Sequence, residues 1–83
     1  MSAEVVFQAP ARQKLREYRK NDRAGVDQVL DSINLLRGDP RPPGSAPYGS
    51  GYFRIHVGVY RVLYQVRNGT PVVISIEHVG KVP

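Results

Sequence analysis

The chain has 83 residues, a net charge of +5 and a pI near 10. A chain this short makes one domain, here residues 1–83, and buries only about 60–65% of its unfolded surface. The absence of cysteine excludes a disulfide framework and a thiolate zinc site, and the two histidines lack metal-ligand spacing, so neither metal nor cofactor is expected. No apolar run approaches the roughly 20 residues of a membrane span, and no leader is visible at the N-terminus. A cytoplasmic protein with no membrane partner is expected, and its basic balance suits a polyanion.

Residues 3–8 read as a first strand, followed by Pro10 at the start of a helix, where a missing N–H costs little. Ala11, Leu15 and Tyr18 recur at i, i+4 and i+7, the mark of one apolar helix stripe. Arg12, Arg16, Arg19 and Arg23 form a parallel row about 100° around the helix, with Lys20 beside it. Asn21-Asp22 offers a break and a cap. Val26, Val29, Leu30, Ile33 and Leu36 give a second helix its apolar face, with Arg37 in its last turn, and Gly38-Asp39-Pro40 stops it. The stretch from Gly38 to Gly51, rich in proline and glycine, reads as a long loop.

A three-strand meander follows. Gly58 marks a first turn and Asn68-Gly69 a second. Alternation along a strand puts Tyr52, Arg54 and His56 on one face and Phe53, Ile55 and Val57 on the other. A two-residue turn at Gly58-Val59 pairs His56 with Arg61, so Arg54, His56 and Arg61 share a face. Tyr60, Val62, Tyr64 and Val66 then lie on the core side.

The last strand has two registers. A two-residue Asn68-Gly69 turn puts Ile74, Ile76 and His78 on the Arg61 face. A three-residue loop puts Val73, Ser75 and Glu77 there, with Glu77 opposite Arg61, and sends His78 to the core side. The second buries Val72, Ile74 and Ile76 and fits the apolar pattern better. The expected fold is α+β: a small, mostly antiparallel sheet of an N-terminal strand plus the meander, with an αα-hairpin on one face.

From Arg41 to Pro83 the cations are Arg41, Arg54, Arg61, Arg67 and Lys81, against one acid, Glu77. RNA cleavage by its own 2′-hydroxyl needs a base, positive charge for the phosphorane, and an acid for the 5′-oxygen. Arg54 and Arg61 can stabilise charge but stay protonated, so neither is a base. His56 is the side chain on that face whose ordinary titration range suits one. Tyr48 and Tyr52, near the end of the long loop, could stack on a base. Arg12, Arg16, Arg19, Lys20 and Arg23 could grip RNA phosphates. Each group also has a plain structural reading, as solvated or packed surface.

Tyr60-Arg61-Val62-Leu63-Tyr64 and His78-Val79-Gly80-Lys81, with the basic Arg54 and His56 ahead of them, resemble the RelE-type toxins of bacterial toxin–antitoxin systems. The resemblance covers nearly the whole chain in architecture, and the related ParE-like gyrase inhibitors share its fold and a similar Tyr-Arg strand. It implies a ribosome-dependent endoribonuclease that cuts mRNA, with the ribosome and mRNA as targets and a cognate antitoxin as partner, the free toxin being a monomer. It also implies catalytic roles at Arg54, His56, Arg61 and Lys81, and RNA contacts by the first-helix row and Tyr52. Where the family continues with an arginine and later a tyrosine, this sequence has Val82 and Pro83, so a slower nuclease is expected. The resemblance leaves two other functions open: a gyrase inhibitor, or a degenerate protein that only binds its antitoxin.

Overall fold

The computed structural model describes residues 3–83. The elements run β1 (Glu4–Phe7), α1 (Ala9–Arg19), α2 (Arg23–Leu35), β2 (Ala46–Pro47), β3 (Tyr52–Val57), β4 (Tyr60–Arg67) and β5 (Val73–Lys81). The sheet order is β1-β5-β4-β3-β2, and only the β1–β5 pair is parallel. The expected α+β fold is present, with one strand more than expected, because Ala46 and Pro47 in the long loop pair with Arg54 and Phe53. Among the described residues no helix is long and apolar enough to cross a membrane.

Helix α1 starts one residue before the expected position, with Gln8 as its N-cap residue and Pro10 inside its first turn. Ala11 and Leu15 are buried and Tyr18 is half-buried, so the apolar stripe faces the sheet. Asp22 caps α2 by accepting from the Gly25 N–H at 3.0 Å, which satisfies one of the helix's unpaired donors. The approach is so close that a Cβ at Gly25 would overlap the Asp22 carboxylate. Helix α2 ends with Leu36 as its C-cap, and Arg37 falls beyond it rather than in its last turn.

The core joins Val26, Val29, Ile33 and Leu36 of the α2 segment to Val62, Tyr64 and Val66 of β4 and Ile74, Ile76 and Val79 of β5. Leu30, expected on the apolar face, is partly exposed. Two buried tyrosines tie the core to its borders. Tyr60 donates to Asp22 Oδ2 at 2.8 Å, and Tyr64 donates to the Pro40 carbonyl at 2.7 Å. The first bond links the helical hairpin to the far end of the sheet. The second fixes the proline-rich loop.

The turn at Gly58-Val59 has the expected two residues, with Gly58 at φ 60° and Val57 paired with Tyr60. The second connection differs. Arg67 pairs with Val73, so five residues from Asn68 to Val72 join β4 to β5, and Asn68-Gly69 is not a positive-φ turn. Pro71 has no N–H to give a ladder, which delays pairing to Val73. The loop is two residues longer than the second register assumed, so side-chain parity is kept. Ile74 and Ile76 face the core and Ser75 the other face.

Candidate functional site

The sheet has one face under the helices and one open face. On the open face the register of β3, β4 and β5 makes two rows: Arg54, Leu63 and His78, and beside it His56, Arg61 and Gly80. The row residues other than His56 line a depression of about 340 Å³ together with Tyr48, Lys81 and Pro83. Arg54 is half-buried, with its guanidinium carbon 5.4 Å from the centre of the Tyr48 ring. Arg61, His78 and Lys81 are exposed. No acidic side chain lines the depression, and among the described residues the ion pairs are Lys14–Glu17 and Arg19–Asp27, both elsewhere. Three cations and an imidazole therefore surround one concavity with no acidic side chain to neutralise them. That arrangement can hold a phosphodiester and leave a titratable group beside it.

His78 was expected on the core side, and Glu77 opposite Arg61. The bulge explains the first, and the bulge together with the longer β4–β5 connection explains the second. A β-bulge shifts the register between Leu63 and Tyr64: Tyr64 pairs with Ile76, Leu63 pairs with His78, and Glu77 is the extra residue. The insertion turns His78 to the open face, and its one-residue shift, added to the two extra residues of the β4–β5 connection, sets Arg61 opposite Gly80 instead of Glu77. A Cβ at Gly80 would lie 3.7 Å from His78 Nε2, so the glycine leaves the depression open beside the imidazole. The signal for the bulge was in the sequence. Core positions Ile74 and Ile76 are two apart, whereas Ile76 and Val79 are three apart, and a strand keeps such residues on one face only by gaining a residue.

The other proposed residues divide. His56 is exposed and sits opposite Arg61, yet it lines a different cavity of about 610 Å³, with Leu35, Leu36, Pro42, Pro43, Ile55 and Val57 around it. Tyr52 is on the Arg54 face, paired with Gln65, and does not line the basic depression; Tyr48 does. Lys81 pairs with Tyr60 at the sheet end and still reaches the rim. Arg12, Arg16 and Arg19 flank a shallow groove of about 260 Å³ floored by Phe7, Leu15, Val26 and Leu30. Arg16, Arg19, Lys20 and Arg23 surround a second concavity of about 450 Å³. Arg19 Nε bonds Asp27 Oδ1 at 3.3 Å in an exposed ion pair that offsets part of its charge. This helical surface and the basic depression lie on different sides of the sheet.

Beneath the site, the Tyr60 hydroxyl and the Gly25 N–H hold the Asp22 carboxyl below the usual carboxylate range, and the charge of Lys81 adds to this. Burial, then the bond to Asp22, pushes the Tyr60 hydroxyl up. Burial likewise raises Tyr64.

A family model described as the ParE toxin of type II toxin–antitoxin systems, parDE, matches residues 5–83. No curated protein matches in sequence. Among solved structures, a YoeB/ParE toxin from Agrobacterium tumefaciens superposes with a TM-score of 0.81 at 15% identity, covering 94% of this chain and 96% of that one. A chain of the toxin–antitoxin complex RelBE2 from Mycobacterium tuberculosis gives 0.77 at 22% identity over 98% and 99%. A mutant of the E. coli toxin RelE in its free state gives 0.78 at 23% identity over 98% and 84%. At these identities the superpositions establish the fold.

Proposed function

The chain belongs to the ParE toxin family of type II toxin–antitoxin systems, on the fold shared by RelE and ParE, and from that premise we propose that it is a ribosome-dependent mRNA endonuclease acting in the cytoplasm and silenced by a cognate antitoxin. The observation that carries this reading is the open depression ringed by Arg54, Arg61, Lys81 and His78, with no acidic side chain in its lining. A gyrase inhibitor that works by protein contact has no need of such a phosphate-shaped cluster.

In this reading the 2′-oxygen of the substrate loses its proton to a base and attacks the adjacent phosphorus. The 5′-oxygen then leaves with a proton, giving a 2′,3′-cyclic phosphate and a 5′-hydroxyl. Arg61 and Arg54 hold the non-bridging oxygens as charge builds on them, worth about 2.7–4 kcal/mol for one lost donor. His78, at the side of the depression, takes or returns the proton, and His56 across from Arg61 is the second candidate. Lys81 screens the leaving group. Tyr48, beside Arg54, stacks on a base, and Tyr52 extends that surface. The first-helix cations Arg12, Arg16, Arg19, Lys20 and Arg23 engage ribosomal RNA phosphate on the other side of the molecule.

The antitoxin follows from the family, and from solved relatives that are themselves toxin–antitoxin complexes. One finding favours a second reading, inhibition of DNA gyrase: the matching family model is that of ParE. Expression in bacteria, followed by mapping of mRNA 5′ ends and of DNA double-strand breaks, separates the two. New mRNA ends without chromosome breaks are expected. Chromosome breaks with intact mRNA would establish the gyrase reading, and neither, with antitoxin binding kept, would mean a degenerate binder.

A further inference from the structure

The bulge in β5 keeps Ile76 and Val79 on one face, but the core does not require the extra residue that makes it necessary. Removing Glu77 would restore a regular alternation in which Ile74, Ile76 and Val79 still face the core and His78 still pairs with Leu63. A regular strand would also keep the ladder unbroken, which a bulge does not. The extra residue therefore serves something other than the core.

Its surroundings show what. Ser75 is the one fully buried polar residue among the described residues. Its hydroxyl donates to Glu77 Oε2 and accepts from Gln8 Nε2 at 2.8 Å. Gln8 is the N-cap residue of α1, and its backbone N–H donates to the Ile76 carbonyl at 2.9 Å. A continuous chain of side-chain hydrogen bonds thus runs from the start of α1 to the bulged residue, immediately before His78. Fixed polar chains of this kind rigidify the backbone they tie together.

We propose that the Gln8–Ser75–Glu77 chain is a positioning device that locks the bulge and so sets His78 and the Arg61–Gly80 pair in the basic depression. Glu77 and Ser75 are positioning residues: they act through His78 and touch no substrate. The proposal rests on the ribonuclease reading for its kinetic arm only.

The test uses the full chain with Glu77 deleted, with Ser75→Ala, and with Glu77→Gln, which keeps an acceptor oxygen. Two readouts are taken: the His78 ring signals by NMR in the protein alone, and single-turnover mRNA cleavage on programmed ribosomes. The deletion is expected to keep the Ile76–Tyr64 and Val79–Val62 contacts yet to shift the His78 ring signals. Cleavage should slow by on the order of 100-fold, the cost of misplacing a reacting group by about 1 Å, with KM little changed. Ser75→Ala should move both readouts the same way, and Glu77→Gln should stay near the native protein. A folded deletion variant with native His78 signals overturns the proposal. If the deletion does not fold, Ser75→Ala decides alone: unmoved His78 signals overturn it. If the native protein cleaves nothing, the ribonuclease reading fails, and the His78 signals still decide the positioning.

Discussion

Two histidines occupy different surroundings, and the distinction sets which one the proposed cleavage would use. His78 shares a depression with Arg54 and Arg61, whereas His56 lines an apolar cavity against α2 and the proline-rich loop. His78→Gln is expected to slow ribosome-dependent cleavage by about 100-fold or more, the range of a lost general acid or base. His56→Gln should cost much less. Parallel single-turnover assays of the two variants check this, and the reverse order would return the base to His56. A second residue-scale expectation concerns Asp22. Its folded pKa is depressed, chiefly by the Tyr60 hydroxyl. A depressed carboxyl contributes stability that is present above its unfolded pKa, about 3.9, and is lost as pH falls through the folded pKa. Tyr60→Phe removes the main cause, so the variant should lose less stability than the native protein on acidification below about pH 4. Thermal melts across that window measure the difference, and identical acid slopes would contradict it.

At the scale of elements, apolar periodicity carried most of the fold. The two helices, the faces of β3 and β4 and the Val57–Tyr60 turn were all legible, because each rests on local spacing or on a glycine that accepts positive φ. Three features were not. Strand β2 is two residues of loop that pair only because the sheet edge is there to receive them. The five-residue β4–β5 connection follows from Pro71, which overrode a strong Asn-Gly turn signal. The bulge at Glu77 hid His78, although the three-residue gap from Ile76 to Val79 marked it. Of the candidate site, Arg54, Arg61 and Lys81 were legible and are brought together; His78 was missed. The same elements set an energetic expectation. Ile33 is buried where α2 meets the sheet, and Ile33→Ala should cost about 2–5 kcal/mol, read by denaturant unfolding. Between α1 and α2, the apolar groove of Phe7, Leu15, Val26 and Leu30 flanked by Arg12, Arg16 and Arg19 suits an acidic amphipathic antitoxin segment. Reversing Arg12 and Arg16 to glutamate should weaken antitoxin binding by on the order of tenfold, since exposed pairs contribute about 0.2–1 kcal/mol each. Calorimetric titration at low and high salt reads it; an affinity indifferent to both changes would move the antitoxin elsewhere.

On the scale of the whole molecule, one small sheet separates two cationic surfaces. The helical side offers exposed arginines at helix spacing, and the open side a built concavity with a histidine. A net charge of +5 suits polyanions in general, and in the proposed reading the open-face cluster supplies the chemistry. The central claim is that this cluster, with Arg61 at its middle, cleaves RNA. Single-turnover cleavage of mRNA on programmed ribosomes by the native protein and by Arg61→Ala tests it directly, with gyrase supercoiling followed in parallel. The account predicts cleavage by the native protein, a loss of roughly 100- to 1000-fold in a well-folded Arg61→Ala variant, and no effect on gyrase. Gyrase inhibition by the native protein without RNA cleavage, or full cleavage by Arg61→Ala, would contradict it.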